Sequence, residues 1–96
     1  MEDFFMNDEW GKEMDKEIGQ RVQGMRLKCR MSLEHFSILV GVSPNYLDLI
    51  ERGERTLSVL HLIKLSTLFQ EPQEYITLGY SNMSLLKKLV KKMVGF

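Results

Sequence analysis

The sequence predicts an all-α fold, a compact five-helix domain with an additional C-terminal amphipathic helix, and three observations carry that prediction. Apolar residues recur at three- and four-residue spacings in one segment after another. Helix-capping residues punctuate these segments, with Ser32, Ser43 and Ser58 ahead of them and Gly41, Gly53 and Gly79 behind. A chain of 96 residues, 44% of them hydrophobic, is enough for one core and too little for two ordinary domains. The expected organisation is an acidic, aromatic-containing N-terminal arm over 1–15, a helical domain over 16–79, and the amphipathic helix over 80–96, a candidate dimerisation element.

In chain order, the arm mixes acidic groups with Phe4, Phe5, Met6 and Trp10. A frayed start is the simpler reading. A segment that folds onto its own domain or binds a protein partner is the sharper one, because a purely solvating tail has no need of three aromatics. The first helix is expected from Met14 or Ile18 to about Arg30, with Ile18, Val22 and Met25 as its buried stripe and Leu27 and Cys29 beside it. Cys29 reads as a small buried or half-buried hydrophobe. Gly19 and Gly24 each cost up to roughly 1 kcal/mol inside a helix, so packing must stabilise it. For any one of Arg21, Arg26, Lys28 and Arg30, an ordinary solvated helix face is the simpler assignment.

Ser32 caps a second helix over Leu33 to Val40, whose apolar set is Leu33, Phe36, Leu39 and Val40, with His35 toward solvent. Gly41 is the turn. Ser43 caps the next helix, which runs to Arg52, and Pro44 takes its first position, where a missing N–H costs nothing. Its apolar set is Tyr46, Leu47, Leu49 and Ile50, and Gly53 lies beyond its cap. In the ERGER run, Arg52 and Arg55 can contact phosphate or form local ion pairs, and Glu51 can pair with an arginine of the first helix.

A fourth helix follows from Ser58 to Leu68 or Phe69, so apolar that only His61, Lys64, Ser66 and Thr67 are left for solvent. It should be buried centrally or share a second surface. Pro72 ends that segment or begins a short fifth helix through Tyr75, Ile76 and Leu78, stopped by Gly79. In the tail, Leu85, Leu86, Leu89, Val90, Met93 and Val94 line one helical face and Lys87, Lys88, Lys91 and Lys92 the other. A core-packing or dimer-forming helix is favoured over a membrane-surface helix or a basic strip along DNA.

Composition narrows the function. The net charge is zero, yet residues 1–17 carry seven acidic and two basic groups while 18–96 carry eleven basic and six acidic. A modestly basic domain carries an acidic arm. With one cysteine and two histidines, no disulfide, metal site or cofactor is expected. No nucleophile–base pair, paired carboxylates or glycine-rich phosphate loop is present, so no enzyme is expected. The absence of a secretion signal or membrane-length apolar run makes a soluble, cytoplasmic protein the expectation, with no membrane partner. Two helices joined by a Gly-containing turn form the arrangement that lays a second helix in the major groove of DNA.

The residues that carry that arrangement also resemble a known family, the lambda-repressor/Cro-like helix-turn-helix regulators of bacteria and phage, Cro/C1-type, over about Ile18 to Phe69. The similar features are Ile18-Gly19, Met25-Arg26, Met31-Ser32, Gly41-Val42-Ser43, Tyr46-Leu47, Ile50-Glu51-Arg52-Gly53, Leu62 and Leu65. The resemblance implies a five-helix domain that binds double-stranded DNA as a homodimer and regulates transcription, most simply as a repressor. It implies Pro44, Asn45 and Asp48 as base-reading positions, Asn45 being the best reader because an amide bonds bidentately to adenine. Arg26, Lys28, Ser43, Tyr46, Arg52 and Arg55 form the expected phosphate-contacting set. Two positions depart from the family pattern: Leu33 stands where a glutamine is common and Leu49 where an arginine is frequent. The alternative is a protein-interaction module of the same fold, an antirepressor, antitoxin or regulator-binding partner.

Overall fold

Three serine caps set where the middle helices begin. Ser32, Ser43 and Ser58 sit in extended backbone, and the Oγ of each accepts a hydrogen bond from the backbone N–H of His35, Tyr46 and His61 respectively. Each bond satisfies one of the donors that a helix N-terminus leaves open. The computed structural model describes residues 8–79 and 90–91. Among these it contains α1 (Asp8–Lys28), α2 (Leu33–Val40), α3 (Pro44–Glu51), α4 (Val59–Phe69) and α5 (Gln73–Leu78), with no strand. Pro72 thus precedes a fifth helix and does not merely end the fourth.

The first helix differs from its expected span at both ends. It begins at Asp8, ahead of Met14, so Trp10 to Asp15 are helical backbone. Acidic residues in its first turns suit the positive end of the helix dipole, and the Asp15 carboxylate accepts a hydrogen bond from Thr56 Oγ1 at 3.0 Å. The helix stops at Lys28, because Arg30 takes a left-handed backbone with φ 56°, and Met31 N–H closes the end by donating to Arg26 O. Phe4, Phe5 and Met6 lie outside the described residues. So do Leu85, Leu86, Leu89, Met93 and Val94 of the tail stripe. Val90 and Lys91 are helical in backbone and exposed.

Every helix contributes to one core. Val22 and Met25 of α1, Phe36 and Val40 of α2, Leu47 and Ile50 of α3, Leu65 of α4 and Ile76 of α5 are all buried. The Phe36 and Phe69 rings meet with centroids 5.8 Å apart, within the range where aromatic pairs attract. Some expected core residues are elsewhere. Leu27 and Cys29 are exposed, since α1 has already turned those positions away from the core before it ends. Leu39 is also exposed, and the buried neighbour on that face is Ser37, whose hydroxyl donates to Glu34 O at 2.7 Å and so enters the core satisfied.

α4 is not buried centrally, the first of the two expectations for so apolar a helix. Leu65 alone of its residues is fully buried, with Leu62 and Phe69 packed beside it, while Val59, Leu60, Ile63 and Leu68 face outward. A helix laid on one side of a small bundle buries one stripe, here at i, i+3 and i+7. His61 and Ser66, expected in solvent, are half-buried, and Ser66 Oγ donates to Glu71 O.

Two contacts orient the frame. At Gly19, α1 meets the end of α3 backbone to backbone, and a methyl there would overlap the carbonyl oxygens of Ile50 and Glu51. At Gly41, φ is 86°, and the N–H groups of Gly41 and Val42 donate back to Ser37 O, closing α2 and redirecting the chain into α3. Arg21 of α1 in turn donates to Ile76 O and Thr77 O at 3.0 Å each, tying down the end of α5.

Candidate nucleic-acid interface

α3 is amphipathic in a way that fixes it on one side and opens it on the other. Leu47 and Ile50 are buried, whereas Ser43, Pro44 and Asn45 at its N-terminal turn are exposed. That turn presents Asn45 together with the positive end of the helix dipole. One turn further on, Asp48 is half-exposed and takes Arg52 Nε at 3.3 Å, while a second Arg52 nitrogen lies 3.5 Å from Glu54 Oε1. Arg52 thus forms the local ion pairs that were one of its two expected roles, and at more than half exposure it stays accessible. These surface pairs are weak enough to exchange for a phosphate.

Arg55 lies over the Tyr46 ring, with its Cζ 5.7 Å from the ring centroid, a cation–π distance. Tyr46 Oη donates to Thr56 O at 3.4 Å, and its ring meets His61 with centroids 5.6 Å apart. The loop after α3 is therefore folded back onto the N-terminal turn of that helix. Ser43, Pro44, Asn45, Tyr46, Asp48, Arg52 and Arg55 are carried on one helix and its adjoining loop.

Arg26 and Lys28 are placed differently. Arg26 Nε donates to Glu51 Oε2 at 2.8 Å, a terminal nitrogen donates to Glu51 Oε1 at 3.0 Å, and the other donates to Met31 O at 3.0 Å. Both side chains are largely buried, at 14% and 3% exposure. The two hydrogen bonds that Arg26 donates to the Glu51 carboxylate raise the Arg26 pKa above its ordinary value, against the opposing effect of burial. Three of the five Arg26 donors are thus engaged inside the fold and its side chain is largely buried, which sets it apart from the exposed members of the expected phosphate-contacting set. The expected pairing of Glu51 with a first-helix arginine is the one observed. Lys28, in the last turn of α1, lines a half-open groove of about 230 Å³ with Gly24, Met25, Cys29, Phe69, Glu71 and Tyr75, none of them from α3.

The sequence reading missed His61 and Thr56. The signal was present in Ser58-x-x-His61, which has the spacing of a reciprocal cap with histidine in place of the usual Glu or Gln. Ser58 Oγ accepts from His61 N–H at 3.2 Å and lies 2.6 Å from His61 Nδ1. Among the described residues, no group of three or more His, Cys, Asp or Glu side chains is arranged to hold a metal ion, and no helix is long and apolar enough to cross a membrane.

The bent helix pair and the open end of its second helix define a helix-turn-helix module. The helix-turn-helix family profile matches residues 23–76, and the chain belongs to that family, in its Cro/C1-type form. It is similar to the restriction-modification controller protein C.AhdI from Aeromonas hydrophila. That crystal structure shares 27% identity over 65% of this chain and 94% of the other, with a TM-score of 0.58. No curated protein sequence matches this chain. The family and the fold together make the chain a DNA-binding transcriptional regulator.

Proposed function

We propose that the chain is a dimeric repressor that reads an inverted-repeat operator through the N-terminal turn of α3. The observation that carries this reading is the geometry of that turn: Ser43, Pro44 and Asn45 are open while Leu47 and Ile50 lock the opposite face into the core. Asn45 reads bases, with Pro44 and Asp48 beside it, and Ser43, Tyr46, Arg52 and Arg55 contact phosphate. A single subunit neutralises few phosphates, so useful occupancy needs two subunits on two half-sites. The outward apolar residues Val59, Leu60 and Ile63 of α4 support association, as does the tail stripe in the sequence. Likeness to a controller protein supports a role in switching gene expression over a structural one.

Selection from a random duplex library at two salt concentrations tests the proposal. Enrichment of an inverted repeat with half-sites about one helical turn apart is expected. Recovery of no motif at either salt would instead favour the protein-interaction module, a reading consistent with the acidic Asp48 and the uncharged Leu49 on α3. On the enriched site, Asn45→Ala is expected to relax base preference, whereas Arg52→Ala weakens all sequences about equally. Equal loss of specificity in both variants would contradict the assignment.

A further inference from the structure

We propose that His61 is a positioning residue for DNA contact: it holds the Tyr46 ring, and through that ring the Arg55 guanidinium, in place beside the N-terminal turn of α3 to meet a phosphate. This inference rests on the DNA-binding reading of α3 and adds a residue from α4 to it. A solvent-facing arginine on a loop has many rotamers to lose on binding, and that loss opposes binding. Arg55 is held by its stack on Tyr46 at 5.7 Å. Tyr46 is itself held on two sides of its own structure, by the hydroxyl bond to Thr56 O and by the tilted ring of His61, with the planes 56° apart.

His61 is fixed in turn. Ser58 Oγ engages both its backbone N–H and its Nδ1, which leaves the imidazole little freedom to swing away from Tyr46. The chain of contacts runs from a helix cap to a ring, to a second ring, to a cation. Thr56 Oγ1 donates to Asp15 on α1, so the loop that carries Arg55 is also tied to the scaffold on its far side. Preorganisation of this kind adds affinity by removing ordering cost without adding a contact.

Two substitutions separate this role from simple capping. His61→Phe keeps a ring against Tyr46 and loses the side-chain bond to Ser58. His61→Gln keeps a capping partner for Ser58 and loses the ring. The full-length chain would be titrated with a short mixed-sequence duplex across a salt series, with circular dichroism melts confirming that each variant is folded. Arg55→Ala is expected to weaken binding several-fold and to lower the slope of log affinity against log salt by about 1 per subunit. His61→Gln should approach that loss, His61→Phe should stay near wild type, and His61→Gln combined with Arg55→Ala should lose no more than Arg55→Ala alone. The reverse order, with His61→Phe impaired and His61→Gln intact, would overturn the inference, as would additive losses in the double variant. A wild-type chain that shows no salt-dependent binding would overturn the DNA reading itself, an outcome distinct from a binding chain indifferent to His61.

Discussion

Glu51 is a buried carboxylate whose two oxygens are both taken by Arg26. Removing one member of such a pair strands a charge in the core, which costs about 3–5 kcal/mol, whereas replacing both by apolar side chains of similar volume is close to neutral. Glu51→Ala is therefore expected to destabilise by that amount in urea unfolding, and Arg26→Met/Glu51→Leu much less. Because Arg26 is largely buried, with three of its five donors held by Glu51 and Met31, the double variant should retain the wild-type salt slope for duplex binding. The direction of the pKa shift gives the pH behaviour. A raised arginine pKa contributes stability that is fully present below the unfolded value and is lost as pH rises through the folded one, so this contribution is constant through the neutral range and disappears only in strong alkali.

The helices themselves were legible where a local signal existed. Ser32, Ser43 and Ser58, Pro44 and the Gly41 turn are short-range features, and the caps and the turn stand where those residues put them. What was not legible depends on contacts between elements. Composition alone could not tell which stripe of α4 faces inward, because Val59, Leu60 and Ile63 are as apolar as Leu62 and Leu65. Nor could it say that Arg26, one of four basic residues near the end of the first helix, is the one that reaches Glu51 across 25 positions. The stack that seats Arg55 depends on His61, a polar residue on an apolar helix that reads as solvent-facing until α3 is packed against it. Two predictions belong to this scale. Gly19→Ala should destabilise by about 1–3 kcal/mol by forcing α1 off the end of α3. Arg30→Gly should stabilise by about 0.5–1 kcal/mol, because its left-handed backbone strains any residue with a Cβ. Urea midpoints measure both.

At the scale of the whole molecule the charge is segregated along the sequence, and among the described residues the outward apolar side chains gather on α4, with Leu27 of α1, Ile38 and Leu39 of α2, Leu78 of α5 and Val90 adding further exposed apolar groups. Sedimentation tests whether that surface, the tail stripe or both bring two subunits together. A chain truncated after Gly79 is expected to lose most of its dimer, and an undiminished dimer would assign association to the helical domain, where Leu60→Glu should then abolish it. The contact at Gly19 has an evolutionary consequence. α3 is seated backbone to backbone on α1 and anchored by inward-facing Leu47 and Ile50, while Asn45 is exposed and, among the described residues, Asp48 pairs only with Arg52 at the end of its own helix. Substitutions at Asn45 and Asp48 can therefore change which sequence is recognised while the helix keeps its angle. New target preferences are open to this scaffold by point mutation at its surface, with the hinge between reading and folding already uncoupled.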